Sequence, residues 1–155
     1  MTRAKTAVVL LLIAVGMLFS ALTSAMFVRR GLGGDWKALP LPTLALWNVL
    51  VLAASSAALE LSSRRNSRVF WWSATWLGVL FVGLQTSVWR SLLDGGITLA
   101  SNPSSSFFYL LSALHVVHVV AGIAALSATA AEAPLYWHGM SFLWAYIVLL
   151  FRWLQ

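Results

Sequence analysis

The stretch Thr6–Val28, TAVVLLLIAVGMLFSALTSAMFV, carries no charged side chain over its whole length. A helix needs about 20 consecutive apolar residues to cross the hydrocarbon layer of a bilayer. The stretch is continuously apolar and does not alternate with a period of two, as a strand of a membrane barrel would. It therefore predicts a transmembrane helix near the start of the chain.

A cleaved signal peptide is the alternative interpretation of this first stretch. Arg3 and Lys5 precede it, as basic residues precede the apolar part of a signal peptide. That apolar part is usually about 7–15 residues long, however, and Thr6–Val28 is longer. We therefore favour a helix that stays in the membrane.

Four more stretches are apolar enough to span a membrane. Pro40 and Pro42 place the start of the second near Thr43, because proline fits poorly inside a helix. Asn102-Pro103-Ser104 divides the long apolar run 95–131 and offers an N-cap for the fourth. The predicted helices lie at about 6–28, 43–62, 69–92, 105–129 and 135–153. The predicted fold is all-α: one integral membrane domain, residues 1–155, forming a bundle of five transmembrane helices.

Composition supports the membrane assignment and excludes several kinds of site. The chain is 61% apolar and 9% charged, whereas soluble domains are about 45–50% apolar and about 25% charged. The net charge of +6 does not predict nucleic-acid binding, because the basic residues lie between apolar runs, where they anchor helix ends. The chain has no cysteine, which excludes disulfides, thiolate nucleophiles, iron–sulfur clusters and cysteine-bound zinc.

The distribution of basic residues does not decide how the chain is oriented across the membrane. Each side of the membrane would receive five of them: Arg3, Lys5, Arg64, Arg65 and Arg68 on one side, and Arg29, Arg30, Lys37, Arg90 and Arg152 on the other. The positive-inside rule needs an excess on one side.

Polar and small residues inside the spans are costly in lipid unless they face protein. On the fourth predicted helix they recur at spacings of three and four, which places them on one face: Ser112, His115, His118 or Val119, and Gly122. Leu110, Leu114, Val117 and Ala121 form the opposite face, which we expect to meet lipid. Similar faces carry Gly78, Val82, Gln85 and Trp89 on the third helix, and Asn48, Leu52 and Ser55 on the second. We expect these faces to pack helices together.

The histidines allow three interpretations. His115 and His118, three residues apart, could reach one metal ion or haem, and His138 is the only other histidine in the spans. No buried Asp or Glu supports them, as second-shell carboxylates usually do. We favour hydrogen-bonded histidines inside the bundle, with a proton relay as a further possibility. The sequence thus predicts neither a metal site nor a catalytic residue in this chain.

Two other features are expected at the membrane boundary. Glu60 lies four residues before Arg64, the favourable order for an ion pair on a helix. Tryptophans near the predicted helix ends fit an aromatic belt: Trp36, Trp71, Trp72, Trp89, Trp137 and Trp153.

Motifs along the chain resemble a known family. The third helix has Gly78-x-x-Phe81-x-x-x-Gln85-x-x-x-Trp89. The fourth has Phe107-Phe108-x-Leu110-x-x-x-Leu114-His115-x-x-His118-Val119-x-x-Gly122. The fifth has Tyr136-Trp137-His138, then Trp144 and Phe151, and the second has Pro40, Trp47-Asn48 and Ser55-Ser56. The match in the first helix is weaker, with Met17-Leu18-Phe19 and Arg29. In this order the motifs resemble subunit III of the haem–copper terminal oxidases, in its short five-helix form.

The resemblance implies a non-catalytic subunit of a proton-pumping oxidase that reduces oxygen with electrons from cytochrome c. Haem and copper would lie in the partner subunits I and II, and this chain would stabilise subunit I, hold phospholipid and support oxygen access. It also implies a multi-pass protein of the bacterial inner membrane, with its N-terminus cytoplasmic and its C-terminus outside. The alternatives are an accessory subunit of a nitric oxide reductase, a small membrane transporter and a haem-binding membrane protein.

Three positions depart from the family pattern. Where the family has membrane-embedded acids, this chain has Val15, Val88 and Ser141. The resemblance therefore implies packing and lipid binding more than proton conduction through those positions. The glycine that follows the first histidine of the family motif is replaced by Val116.

Overall fold

The computed structural model describes residues 3–125 and 133–154, and its regular elements are all helices. They are α1 (Arg3–Leu32), α2 (Leu44–Arg65), α3 (Arg68–Asp94), α4 (Pro103–Ala125) and α5 (Ala133–Trp153). Each is long and apolar enough to cross a membrane. The prediction of an all-helical protein with five helices able to span a membrane is confirmed, and the described ranges contain no strand.

The helices extend further at their charged ends than predicted. α1 begins at Arg3 instead of residue 6 and ends at Leu32 instead of residue 28, and α3 continues to Asp94 instead of residue 92. Long basic side chains can keep their charge in water while their stems lie along the helix, so a charge ends the apolar run without ending the helix. The predicted end of α4 at residue 129 lies outside the described residues.

Local signals position the starts of α2 and α4, although α4 begins at Pro103, before the predicted residue 105. α2 begins at Leu44, after Pro40 and Pro42. The Asn102 side-chain oxygen accepts a hydrogen bond from the backbone N–H of Ser105 at 3.1 Å, and Pro103 is the first residue of α4. Such an N-cap satisfies a backbone donor that the first helical turn leaves free.

Helices α2 to α5 form a four-helix ring, and α1 lies outside it. α2 packs against α3 and α5, and α4 packs against the same two helices. α1 contacts only α4 and α5 among the described elements and buries the smallest share of its apolar segment. The interior of the molecule is therefore built by α2, α3, α4 and α5.

Aromatic rings fill much of that interior. Phe81 meets Trp144 edge-on with ring centroids 5.2 Å apart, and Phe108 meets Phe151 in the same way at 5.3 Å. Edge-to-face geometry is the favourable arrangement for such rings. Trp137 is also in the core, with 1% of its surface exposed. The interpretation of Trp137 as a belt residue was therefore wrong, because its ring is buried inside the bundle and not at the membrane surface. Trp153, by contrast, is largely exposed.

An ion pair lies at the start of the connection between α1 and α2. The Arg29 guanidinium donates two hydrogen bonds to the Asp35 carboxylate, at 2.9 and 2.7 Å. The bonds from Arg29 hold the pKa of the Asp35 carboxyl below its usual value. The pair therefore persists as the pH falls until it reaches that lowered pKa, although exposed pairs contribute little to stability.

Two glycines let α3 and α4 approach α5. A Cβ atom on Gly78 would lie 2.9 Å from a ring carbon of Trp137. A Cβ on Gly122 would lie 2.7 Å from Tyr136 and 3.0 Å from Trp137. These glycines thus hold the space into which α5 places its two aromatic rings, in agreement with the predicted packing role of small residues.

We predict that Gly78→Ala destabilises the bundle by about 1–3 kcal/mol, because the added methyl group forces the buried Trp137 ring to move. Gly83→Ala is the matched control on the same helix, where a Cβ meets nothing within 4 Å. It should be neutral or stabilising, since alanine favours a helix over glycine by about 1 kcal/mol. Unfolding by heat or by SDS of the detergent-solubilised protein measures both. Equal effects of the two substitutions would contradict this role of Gly78.

Candidate functional site

Ser55 connects three helices from its position on the inner face of α2. Its hydroxyl donates to the backbone carbonyl of Ala74 in α3 at 2.7 Å and accepts the indole N–H of Trp137 in α5 at 2.8 Å. All three residues are buried. A polar group in the bilayer interior needs such a partner, because the surrounding lipid chains offer none.

Two further side-chain bonds join neighbouring helices. The Asn48 amide of α2 donates to the Gln85 side-chain oxygen of α3 at 3.1 Å. The Trp89 indole of α3 donates to the Ser112 hydroxyl of α4 at 2.9 Å. The structure thus brings together the predicted polar residues of the second, third and fourth helices.

His115 is fully buried in an aromatic surrounding. Its ring stacks on Trp144 with centroids 5.3 Å apart and meets the edge of Phe81 at 5.6 Å. Neither ring nitrogen has a hydrogen-bond partner in the described part of the chain. The prediction that His115 faces the interior is confirmed, and the prediction that it is hydrogen-bonded is not.

His118 has different neighbours from His115. It is half-buried, its Nδ1 lies 2.7 Å from the carbonyl oxygen of Leu114, and its ring packs against Phe19 of α1. A carbonyl can only accept, so Nδ1 carries the proton. Among residues 3–125 and 133–154, no three side chains of His, Asp or Glu come together as a metal-binding group.

His138 lies in a polar cluster at the edge of the bundle. Ser56 is hydrogen-bonded to His138 Nδ1, and His138 Nε2 lies 3.4 Å from Glu60, which also accepts a bond from Arg64 at 2.7 Å. The predicted Glu60–Arg64 pair is confirmed. A serine, a histidine and a glutamate in series suggest nucleophile chemistry, but the Ser56 side chain is buried against α5. The cluster therefore serves to join α2 to α5.

The three positions at which the sequence departs from the resembled family, Val15, Val88 and Ser141, have packing roles. Val15 and Val88 are buried in the core, and the Ser141 hydroxyl donates to the backbone carbonyl of Leu52 at 3.1 Å. Ser141 thereby adds another bond between α5 and α2.

Two apolar grooves lie along the outside of α5. One, of about 340 Å³, lies between α1 and α5 and is lined mostly by apolar side chains such as Leu12, Phe19 and Leu143. The other, of about 450 Å³, lies between α2 and α5 and is lined by Trp47, Val148 and their neighbours. Both are lined mainly by apolar surface.

The sequence located most of the inward residues but not their partners. The structure buries Asn48, Ser55, Gly78, Gln85, Ser112, His115, Gly122 and Trp137, half-buries Trp89 and His118, and exposes His138. The sequence pattern did not predict Ser56 as a partner of His138, nor Thr23, whose hydroxyl accepts a bond from Tyr146 at 3.0 Å. Ser56 follows Ser55 directly, but nothing local in the sequence indicates a contact 82 residues away.

In comparisons with models of protein families and with curated proteins, the chain matches none. Its function is therefore inferred from its residues and their geometry.

We predict that Ser55→Ala destabilises the protein by roughly 1–2 kcal/mol, because the buried Trp137 N–H loses its acceptor and Ala74 loses a donor. Ser73→Ala is the control: the Ser73 hydroxyl is exposed and bonds only to a carbonyl of its own helix. The free energy of unfolding in mixed micelles measures both. A loss at Ser73 as large as that at Ser55 would refute the role of Ser55 as a link between helices.

Proposed function

We propose that this chain is a non-catalytic subunit, of the subunit III type, in a proton-pumping terminal oxidase that reduces oxygen with electrons from cytochrome c. One observation carries most of the proposal. Residues that define the family resemblance on separate helices, among them Phe81, His115 and Trp144, are in mutual contact inside the bundle. The resemblance thus concerns one connected packing surface and not scattered positions.

The placement of the acidic residues within residues 3–125 and 133–154 favours a supporting role. Asp35 and Asp94 lie outside or at the end of a helix, and Glu60 lies one turn from the end of α2. The inner residues of the described helices are apolar, aromatic or neutral polar. Such an interior suits helix packing, and in this proposal haem and copper belong to subunits I and II.

Lipid binding is the second part of the proposed role. The two apolar grooves along α5 are open to the side and have little polar surface. Acyl chains of phospholipids fit this chemistry. Lipids held there would seal the contact with subunit I and maintain an apolar route for oxygen.

The proposed location is the inner membrane of a bacterium. The first residue of α1 and the last residue of α5 lie at opposite ends of the bundle, because five consecutive helices alternate in direction. We propose a cytoplasmic N-terminus and an external C-terminus, as in the family.

The first test is purification through a tag on this chain in a mild detergent, from cells grown with oxygen. We expect oxidase subunits I and II, identified by mass spectrometry, together with haem absorption and oxygen consumption driven by cytochrome c. The same tag on an unrelated five-span membrane protein is the control. Recovery of nitric oxide reductase subunits would replace the proposal with the alternative accessory role. Recovery of the chain without any redox partner would overturn it.

The second test uses the chain expressed without partners. We predict no haem absorption and no stoichiometric copper in the purified protein, because His115 and His118 contact different surroundings and cannot serve as a paired ligand without rearrangement. Optical spectra and elemental analysis make the measurement. A Soret band that disappears in either His115→Phe or His118→Phe would instead support the haem-binding alternative.

A further inference from the structure

Unpartnered polar atoms are concentrated in one small region of the bundle. In the described part of the chain, six buried side-chain nitrogen or oxygen atoms lack a hydrogen-bond partner, and one of them belongs to Trp36 in the α1–α2 connection. The other five are Asn48 Oδ1, Gln85 Nε2, His115 Nδ1 and Nε2, and Trp144 Nε1. The four residues that carry them are fully buried, and each comes from a different helix of the ring.

The contacts between α3 and α4 place Gln85 and His115 at the same level. Trp89 bonds to Ser112, and the two helices run in opposite directions. Gln85 lies one turn before Trp89 in α3, and His115 lies one turn after Ser112 in α4. Because the helices are antiparallel, both steps lead in the same direction, and Gln85 lies opposite His115. The edge contact of Phe81 with His115 agrees, since Phe81 lies one turn from Gln85.

The contacts of α2 and α5 add the other two residues to this level. Asn48 is bonded directly to Gln85. Ser141 bonds to the carbonyl of Leu52, so one turn further along these antiparallel helices Asn48 lies near the level of Trp144. Trp144 also stacks on His115. We call Asn48, Gln85, His115 and Trp144 the polar layer.

The free atoms of the polar layer include both donors and acceptors. Gln85 Nε2 and Trp144 Nε1 donate, and Asn48 Oδ1 accepts. A charged imidazole without a counter-charge is expensive inside a bilayer, so His115 in its neutral form adds one donor and one acceptor. Unpartnered groups of this kind are rare in buried positions, and each one costs stability.

We propose that the polar layer is a binding site for water in the middle of the bundle, where one or more molecules are shared by the four side chains. Water is the ligand that matches this set, because it donates and accepts and needs about two to four polar partners. An ion fits less well, since none of the four side chains carries a compensating charge. The site joins all four helices of the ring through common partners, and this proposal does not depend on the oxidase assignment.

The direct test is a crystal structure of the full chain, grown in a lipid phase, whose density resolves ordered water. We expect a density peak within hydrogen-bond distance of at least two side chains of the polar layer. The peak should disappear in His115→Phe. A map that shows ordered water elsewhere but none here would overturn the proposal, and so would side chains rearranged into a direct Gln85–His115 bond.

The thermal stability of His115→Phe gives an independent test, because two accounts predict opposite signs. Phenylalanine keeps a ring that can stack on Trp144 but removes both nitrogens. If the layer holds water, the variant loses that water, the other side chains lose their shared partner, and the unfolding temperature falls. If the layer is dry, two unpartnered atoms are removed and the temperature rises, which would contradict the proposal.

His118→Phe is the matched control for that measurement. His118 lies on the same helix, and its Nδ1 already bonds to Leu114. Its substitution reports the cost of losing a histidine outside the polar layer. In the proposal, the density peak remains in His118→Phe. Loss of the peak in both variants would show that its loss is not specific to His115 and would overturn the assignment.

Discussion

The structure depends on one constraint: a polar side chain inside a bilayer must find its partner inside the bundle, because lipid chains offer none. The helical backbone satisfies its own groups, but side chains such as Asn48 and Ser55 cannot do so. The bonds from Asn48 to Gln85 and from Trp137 to Ser55 each cross from one helix to another. Lipid provides no strong hydrophobic force between helices, so these bonds and the close approach at glycine determine which face of each helix turns inward.

The sequence predicted the features that depend on neighbours along one helix. Five helices followed from apolar runs of sufficient length, and the start of α4 followed from Asn102 and Pro103. The inner face of α4 followed from the spacing of Ser112, His115 and Gly122, which are all buried. Periodicity works here because a residue on the wrong face would leave a polar group in lipid.

Features that depend on contacts between helices could not be predicted. The bond from Trp137 to Ser55 joins residues 82 positions apart, and Trp137 was expected at the membrane surface because it lies near a helix end. His138 was grouped with the other histidines but is exposed beside Glu60. Helix periodicity gives the face on which a residue lies but not the helix that covers this face. The position of α1 outside the ring could not be predicted either. Its sequence is almost uniformly apolar, so periodicity identifies no inner face on this helix.

The central claim is that α4 turns one face to the bundle and the other to lipid, and three valines of α4 test it. Val117 and Val120 are 62% and 49% exposed, whereas Val119 is 0% exposed. The chain has no cysteine, so a single cysteine can carry a nitroxide label at each position. In lipid bilayers, the account predicts frequent collisions of the label with dissolved oxygen at 117 and 120 and few at 119. Equal collision rates at the three positions would contradict it.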